Sequence, residues 1–362
     1  MDKKLESIQI LRAIAALTVV IFHSHFAVAS FPAEYKFNVP FIGKYGYLGV
    51  DLFFVISGFI IAHITSGKQF SLSDFAARRF FRIYPIYWVF CLLSFYLYSS
   101  SGLHFGPKEL TLENLLASLA ILPINGSPAY GVGWSLEHEI IFYVTSALVL
   151  CFGSVRHLAI VVGLLGIAGL VKEALFATGT VIKFWDFHLV SPFNLCFLGG
   201  ILAHSMRERL SFINPAFALS ASALVIWASI TLMKSATPEI RIIARYLGVA
   251  IGFTLTVIGA LNIETAAQKV SSLFKRALVE IGNASYSLYL VHWVILINMG
   301  RIKYKLMFGV PDWAAELWRY SWIMVCIVIA IAMYHLLEKP LIRLGSTMIR
   351  TARLAKSEAV GI

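Results

Sequence analysis

The sequence predicts an all-α protein: a polytopic membrane bundle of about ten transmembrane helices with one short re-entrant or interfacial helix. The first observation behind this is composition. The 362 residues are 59% hydrophobic and only 14% charged, with a mean hydropathy of +0.79, more apolar than a soluble chain of this length can bury. The second is segmentation, because the apolar residues fall into ten windows near the ~20 residues needed to cross hydrocarbon. The third is the placement of charge. The net charge of +11 is spread in short clusters between apolar runs, which suits loops on one side of a membrane and argues against nucleic acid as a partner.

In chain order the windows are residues 8–30, 46–65, 80–100, 133–152, 158–176, 189–205, 215–233, 240–262, 284–299 and 318–341. Lys3, Lys4, the first apolar run and Ala27-Val28-Ala29 together imitate a cleavable signal. Arg12 and His23 inside the run argue against one, so it is read as the first span. Residues 115–123 are too short to cross, and the longest connection, 101–132, is the candidate substrate-facing loop. Of the 30 Lys and Arg, leaving aside Arg12, seventeen fall on the side of the N-terminus and twelve on the other. That bias and the even span count put both termini in the cytoplasm. Cys91, Cys151, Cys196 and Cys326 lie in apolar stretches without metal-ligand or CxxC spacing, and read as small core residues.

Ionisable groups inside these windows are expensive and mark sites. Arg12 and His23 are eleven residues apart, so they share one helix face about 16 Å apart along the axis. Asp51 sits in "GYLGVDLFFVISGFII", where Gly49 and Gly58 permit close approach of another backbone or a ligand near Ser57. In "FAARRFFRIYPIYW", Arg78 and Arg82 are i,i+4 neighbours with Arg79 between them, a geometry suited to phosphates or to a headgroup anchor. Pro85 is a helix-entry feature or a kink. In "WSLEHEIIFYV", Glu137 and Glu139 project about 200° apart, so one faces inward. Trp134 reads as an interfacial belt residue. His292 suits an interhelical hydrogen bond as well as chemistry, and Glu338, ahead of Pro340, suits an interfacial ion pair or a site.

The ordered pieces "LRAIAALTVVIFH", "GVDLFFVISGF", "RRFFRIYPIYW", "WSLEHEIIFY", "SYSLYLVHW" and "EKP" resemble the acyltransferase-3 family of membrane O-acyltransferases, whose members decorate extracellular polysaccharides, O-antigens, nodulation factors and antibiotics. The resemblance covers residues 1–345, with 346–362 as a cytoplasmic basic tail, and is nearest to stand-alone exopolysaccharide and symbiotic-glycan acetyltransferases. It implies a bacterial inner-membrane enzyme, acetyl-CoA or another acyl-CoA as co-substrate with no permanently bound cofactor and no metal, and a glycan or lipid-linked oligosaccharide as acceptor. Membrane lipids and polysaccharide-assembly proteins are the other expected partners. His23 matches the family's essential histidine, with Glu139 or Asp51 expected to orient it. Arg12, Arg78, Arg79, Arg82 and Tyr84 fall to the donor. Trp134, Ser135 and His292 fall to the acceptor. The family's acidic position selects Glu139 over Glu137, and Glu137 and His138 fill variable positions. Two rival classes remain at this stage: a proton-coupled transporter or flippase using the same groups as a relay, and a scaffold in polysaccharide assembly.

Overall fold

The computed structural model describes residues 5–28, 41–67, 69–123, 126–180, 188–266, 272–301 and 311–359. Lys3 and Lys4, residues 29–30 with Ala29 of the signal-like motif, residues 124–125 of the long connection and residues 360–362 of the tail lie outside them. The described residues form helices joined by turns: α1 (Glu6–His23), α2 (Ile42–Tyr45), α3 (Gly49–Thr65), α4 (Leu72–Ser101), α5 (Leu112–Leu119), α6 (Trp134–Phe152), α7 (Val155–Ala177), α8 (Asn194–Ser205), α9 (Pro215–Leu232), α10 (Pro238–Ile243), α11 (Val249–Ala266), α12 (Leu273–Asn283), α13 (Ser285–Gly300), α14 (Asp312–Met333) and α15 (Lys339–Ala359). Ser24–Val28 continues α1 as a 3₁₀ turn. Ala244–Gly248 and Tyr334–Glu338 are π-helical turns that join α10 to α11 and α14 to α15 without a break.

All ten apolar windows coincide with helices, but only eight helical stretches among the described residues are long and apolar enough to cross a membrane. The windows at 189–205 and 284–299 yield α8, of 12 residues, and α13, of 16. At 1.5 Å per residue these span about 18 and 24 Å, short of hydrocarbon about 30 Å thick. Both are buried along most of their length, packed among other helices rather than facing lipid on their own. The lipid-facing elements are the long ones, with large apolar side chains exposed at Leu164 on α7, Leu224 on α9 and Val328 on α14.

Two starting points differ from the windows for reasons of capping. Helix α4 begins at Leu72 rather than near residue 80, because the Ser71 hydroxyl accepts from the Asp74 N–H and the next two turns are polar helix outside the apolar window. Arg78, Arg79 and Arg82 therefore ride on a regular helix, and Pro85 lies inside it. Helix α1 has no side-chain cap of its own at Leu5. Glu264, at the end of α11, supplies one: its carboxylate accepts the N–H groups of Glu6 and Ser7, both at 3.1 Å, and the Ser7 hydroxyl. The short helix α5 lies against α4, its last carbonyl turn receiving Trp88 Nε1 at Leu119 (2.7 Å) and the Tyr84 hydroxyl at Ala120 (3.3 Å).

Helices α3 and α8 form the tightest contact of the bundle. Gly58 abuts the Phe197 backbone, and Gly200 abuts the backbone of Val55 and Phe59. Gly49 likewise sits against Ala15 and Thr18 of α1. A side chain at either α3–α8 glycine has no space. Replacing Gly200 by Leu is expected to cost ~1–3 kcal/mol or more through overpacking, read as a lower thermal midpoint of the purified protein in detergent. An unchanged midpoint would show that the two helices can separate freely.

Candidate functional site

A cleft enters the bundle between α1, α3, α4, α6 and α13. Arg12, Arg79 and Arg82 line it together with Glu139, Ser135 and Tyr289. Arg12 is 7% exposed and its Nε donates to the Ser285 hydroxyl at 3.0 Å. Arg79 lies over the rings of Phe75 and Tyr143, 5.8 and 5.3 Å from their centroids. Glu139 accepts from Ser57 at 2.7 Å and from the Tyr143 hydroxyl. Glu338, 2% exposed, accepts from Ser287 at 2.7 Å and lies within electrostatic reach of Arg82 and Arg12. Three guanidinium groups against two carboxylates leave the cleft positive, an environment for an anion. Its volume is about 70 Å³, far below the 300–1,000 Å³ of sites that enclose a whole drug-sized ligand. The cleft has room for a thin chain rather than for a bulky ring system.

Beyond Tyr289, two turns further along the stripe that begins at Ser285, stands His292, fully buried. Its Nδ1 is 3.1 Å from the Leu288 carbonyl and its Nε2 is 3.1 Å from Nδ1 of His23. A carbonyl only accepts, so with both rings neutral His292 Nδ1 carries the proton and its Nε2 is an acceptor. His23 Nδ1 must then donate, which leaves His23 Nε2 with its lone pair available. Phe26 and Trp293 hold the His23 ring at centroid distances of 6.0 and 5.1 Å. The segment just after it is fastened by Arg319, 0% exposed, whose Nη1 donates to Ser24 Oγ at 3.2 Å while the same group pairs with Glu316.

The structure brings together Arg12, Arg79, Arg82, Ser135 and Glu139 at the cleft, and His23 with His292 beside it. It moves four other expected residues elsewhere. Arg78 is exposed and does not line the cleft. The inward pair is Arg79 and Arg82, because Phe75, Ile83 and Tyr87 are the buried face of α4 and fix its rotation. Tyr84 faces α5, where it bonds the Ala120 carbonyl. Asp51 is buried on a different face, its Oδ1 and Oδ2 forked by Arg245 at 2.7 and 3.1 Å, and it contributes nothing to the cleft wall. Among the described residues the hydrogen-bond partner of His23 is another imidazole, His292, rather than a carboxylate. Trp134 packs on Phe193 and His138 rather than into the cleft.

Sequence reasoning passed over Tyr143, Ser285, Tyr289 and Arg245. The first three had a readable signal. Tyr143 lies four residues after Glu139, and Ser285, Tyr289 and His292 follow i, i+4, i+7 spacing on one helical stripe. Arg245 had none, since its partner is 194 residues away.

A helical bundle in the membrane, with a guanidinium-lined cleft and a paired imidazole near it, has the groups of an integral-membrane group-transfer enzyme. The acyltransferase domain profile of the acyltransferase-3 family matches residues 5–337, and the chain belongs to that family: it is a multi-pass membrane acyltransferase. It is 32% identical over 322 residues to the exopolysaccharide production protein ExoZ of Rhizobium meliloti, covering 86% of this chain and 94% of that one. It is 34% identical over 92 residues to the peptidoglycan O-acetyltransferase OatA of Listeria monocytogenes, 24% of this chain and 12% of that one. With the acyltransferase MdmB of Streptomyces mycarofaciens it shares 31% over 159 residues, 40% and 39% of the two chains. No solved structure gives a significant match.

The Asp51–Arg245 fork is a structural tie of known order of magnitude. Arg245→Ala leaves a buried carboxylate without its counter-charge and should cost about 3–5 kcal/mol, seen as loss of folded protein in fluorescence-detected gel filtration. An Asp51→Asn, Arg245→Gln pair should recover a large part of the loss, and failure to recover any would assign Asp51 a role other than pairing.

Proposed function

We propose that this protein transfers an acyl group, most simply acetyl from acetyl-CoA, to a hydroxyl of an extracytoplasmic or lipid-linked glycan such as an exopolysaccharide. We place it in a bacterial inner membrane with both termini in the cytoplasm. The observation that carries the reading is the arginine-lined cleft together with the His23–His292 pair, which adjoins the cleft through Tyr289, 5.7 Å from His292 between ring centroids. Similarity over nearly its full length to an exopolysaccharide production protein supports the acceptor class.

In this reading the diphosphate and nucleotide of the donor rest at the mouth, where Arg79 and Arg82 hold phosphate oxygens in charge-assisted hydrogen bonds. The pantetheine arm is the thin chain that enters the cleft past Arg12 and Glu139. The acceptor hydroxyl gives its proton to Nε2 of His23 as its oxygen attacks the thioester carbonyl, and the carbon–sulfur bond breaks. The leaving thiolate takes the proton from the imidazolium, so His23 ends as it began. His292 spreads the transient positive charge by accepting the His23 Nδ1 proton bond, and the Leu288 carbonyl fixes its tautomer. Transport is the weaker reading, because the buried charges occur as separate pairs rather than as one relay across the bundle.

Replacing His23 by Ala should lower transfer from acetyl-CoA by about 10²–10⁴-fold with the folded yield unchanged; a well-folded, fully active variant would remove it from the chemistry. Arg79→Gln and Arg82→Gln should each weaken acetyl-CoA binding by roughly 10–100-fold, the loss of one charged hydrogen-bonding group, while Arg78→Gln should not. Isothermal titration of the three purified variants decides this, and an Arg78 effect equal to the other two would restore the i,i+4 pair.

A further inference from the structure

Helix α6 has two working faces. Ser135 and Glu139 line the donor cleft, whereas Trp134, Glu137 and His138 are not in its lining and meet the segment that leads into α8. There a second cluster of titratable groups stands apart from the chemistry derived above. The rings of His138 and His188 stack at 4.0 Å, and His188 Nε2 is 3.2 Å from Glu137 Oε2. His138 also meets Trp134 and Phe193 edge-on, at 5.8 and 5.1 Å. Phe193 and Tyr246 flank the guanidinium of Arg245 at 5.4 and 5.1 Å.

Two features of this cluster are costly in a merely structural patch. Glu137 is 1% exposed, and its Oε1 has no hydrogen-bond partner among the described residues. A buried carboxylate oxygen without a donor is strongly unfavourable unless a ligand supplies one. His188 has φ +60°, the left-handed region that non-glycine residues rarely occupy and that gathers at binding and catalytic positions. Its backbone is held there to lay the imidazole between Glu137 and His138.

We propose that Trp134, Glu137, His138 and His188 form a sugar-binding subsite for the acceptor, on the part of α6 that does not line the donor cleft. The chemistry of the missing partner selects the class. Glu137 Oε1 calls for a hydrogen-bond donor, which excludes an apolar chain, and its negative charge disfavours phosphate or carboxylate. Among the described residues no group of three His, Cys, Asp or Glu is set to hold a metal ion. A sugar ring offers what remains: hydroxyl protons for the carboxylate and a C–H face for the indole and imidazole rings. The subsite is on the outer side in the topology proposed above, where α6 begins, so it meets a glycan that does not pass through the donor cleft. The inference rests on the glycan reading of the acceptor.

The test uses the full-length protein in detergent and oligosaccharides cut from the producing organism's own exopolysaccharide after removal of its O-acetyl groups. Binding of these oligosaccharides and of acetyl-CoA is measured separately by titration calorimetry for the wild type, Glu137→Gln and His188→Ala. The expected result is oligosaccharide binding by the wild type, weakened about tenfold or more in both variants, with acetyl-CoA affinity within about twofold of the wild type. No oligosaccharide binding by the wild type, or equal binding by the variants, overturns the subsite. A parallel loss of acetyl-CoA binding overturns it as well, since the cluster would then be serving the fold. Acetyl transfer assayed on the same samples keeps the two readings apart: bound oligosaccharide that the wild type never acetylates defeats the proposed activity and leaves the subsite standing.

Discussion

Hydrocarbon offers no water to hydrate a charge or complete a hydrogen bond, and the interior of this bundle is organised around that constraint. Each charged side chain drawn inside is met by a partner from another element: Asp51 of α3 by Arg245 next to α11, Glu338 by Ser287 of α13, Arg12 of α1 by Ser285 of α13, Glu139 of α6 by Ser57 of α3. These ties run between helices distant in sequence, so they fix which helices are neighbours as well as satisfying the charges. The cleft departs from this balance, gathering more guanidinium than carboxylate.

The same constraint governs the imidazole pair. A neutral imidazole has two tautomers, and only one leaves Nε2 unprotonated. For His23 the choice is made through His292, by the Leu288 backbone carbonyl, which can only accept. Aromatic rings pack around the pair, and the buried Arg319 at the far end of α14 anchors the 3₁₀ turn into which α1 continues. Orientation of the His23 ring thus depends on α13 and α14 together, although it lies on α1.

Much of this was legible in the chain. The apolar windows located every membrane-depth helix, and the eleven-residue step from Arg12 to His23 marked a single face. Spacing alone did not set helix rotation. Arg78 with Arg82 and Arg79 with Arg82 both satisfy a helical neighbour rule, and the packing of Phe75, Ile83 and Tyr87 decides between them. Long-range pairing was equally hidden: nothing local to Arg245 pointed to Asp51, and Asp51 looked like a candidate for the reaction centre. The short helices α8 and α13 were indistinguishable from spans because hydropathy measures apolar length and not what surrounds its ends.

The π turn at Tyr334–Glu338 bears on how this gene can change. Such a turn holds one residue beyond α-helical need, so everything past it is rotated by about 100° relative to an uninterrupted helix. That phase slip lets one continuous rod serve two neighbours, α14 lying on α13 and α15 on α4, and it turns Glu338 inward to Ser287. Substitutions there are local, but losing a single codon would swing the whole of α15 around its axis, unseat Gly345 from Phe81 and part Arg353 from Asp74. In this stretch the number of residues is under tighter control than their identity.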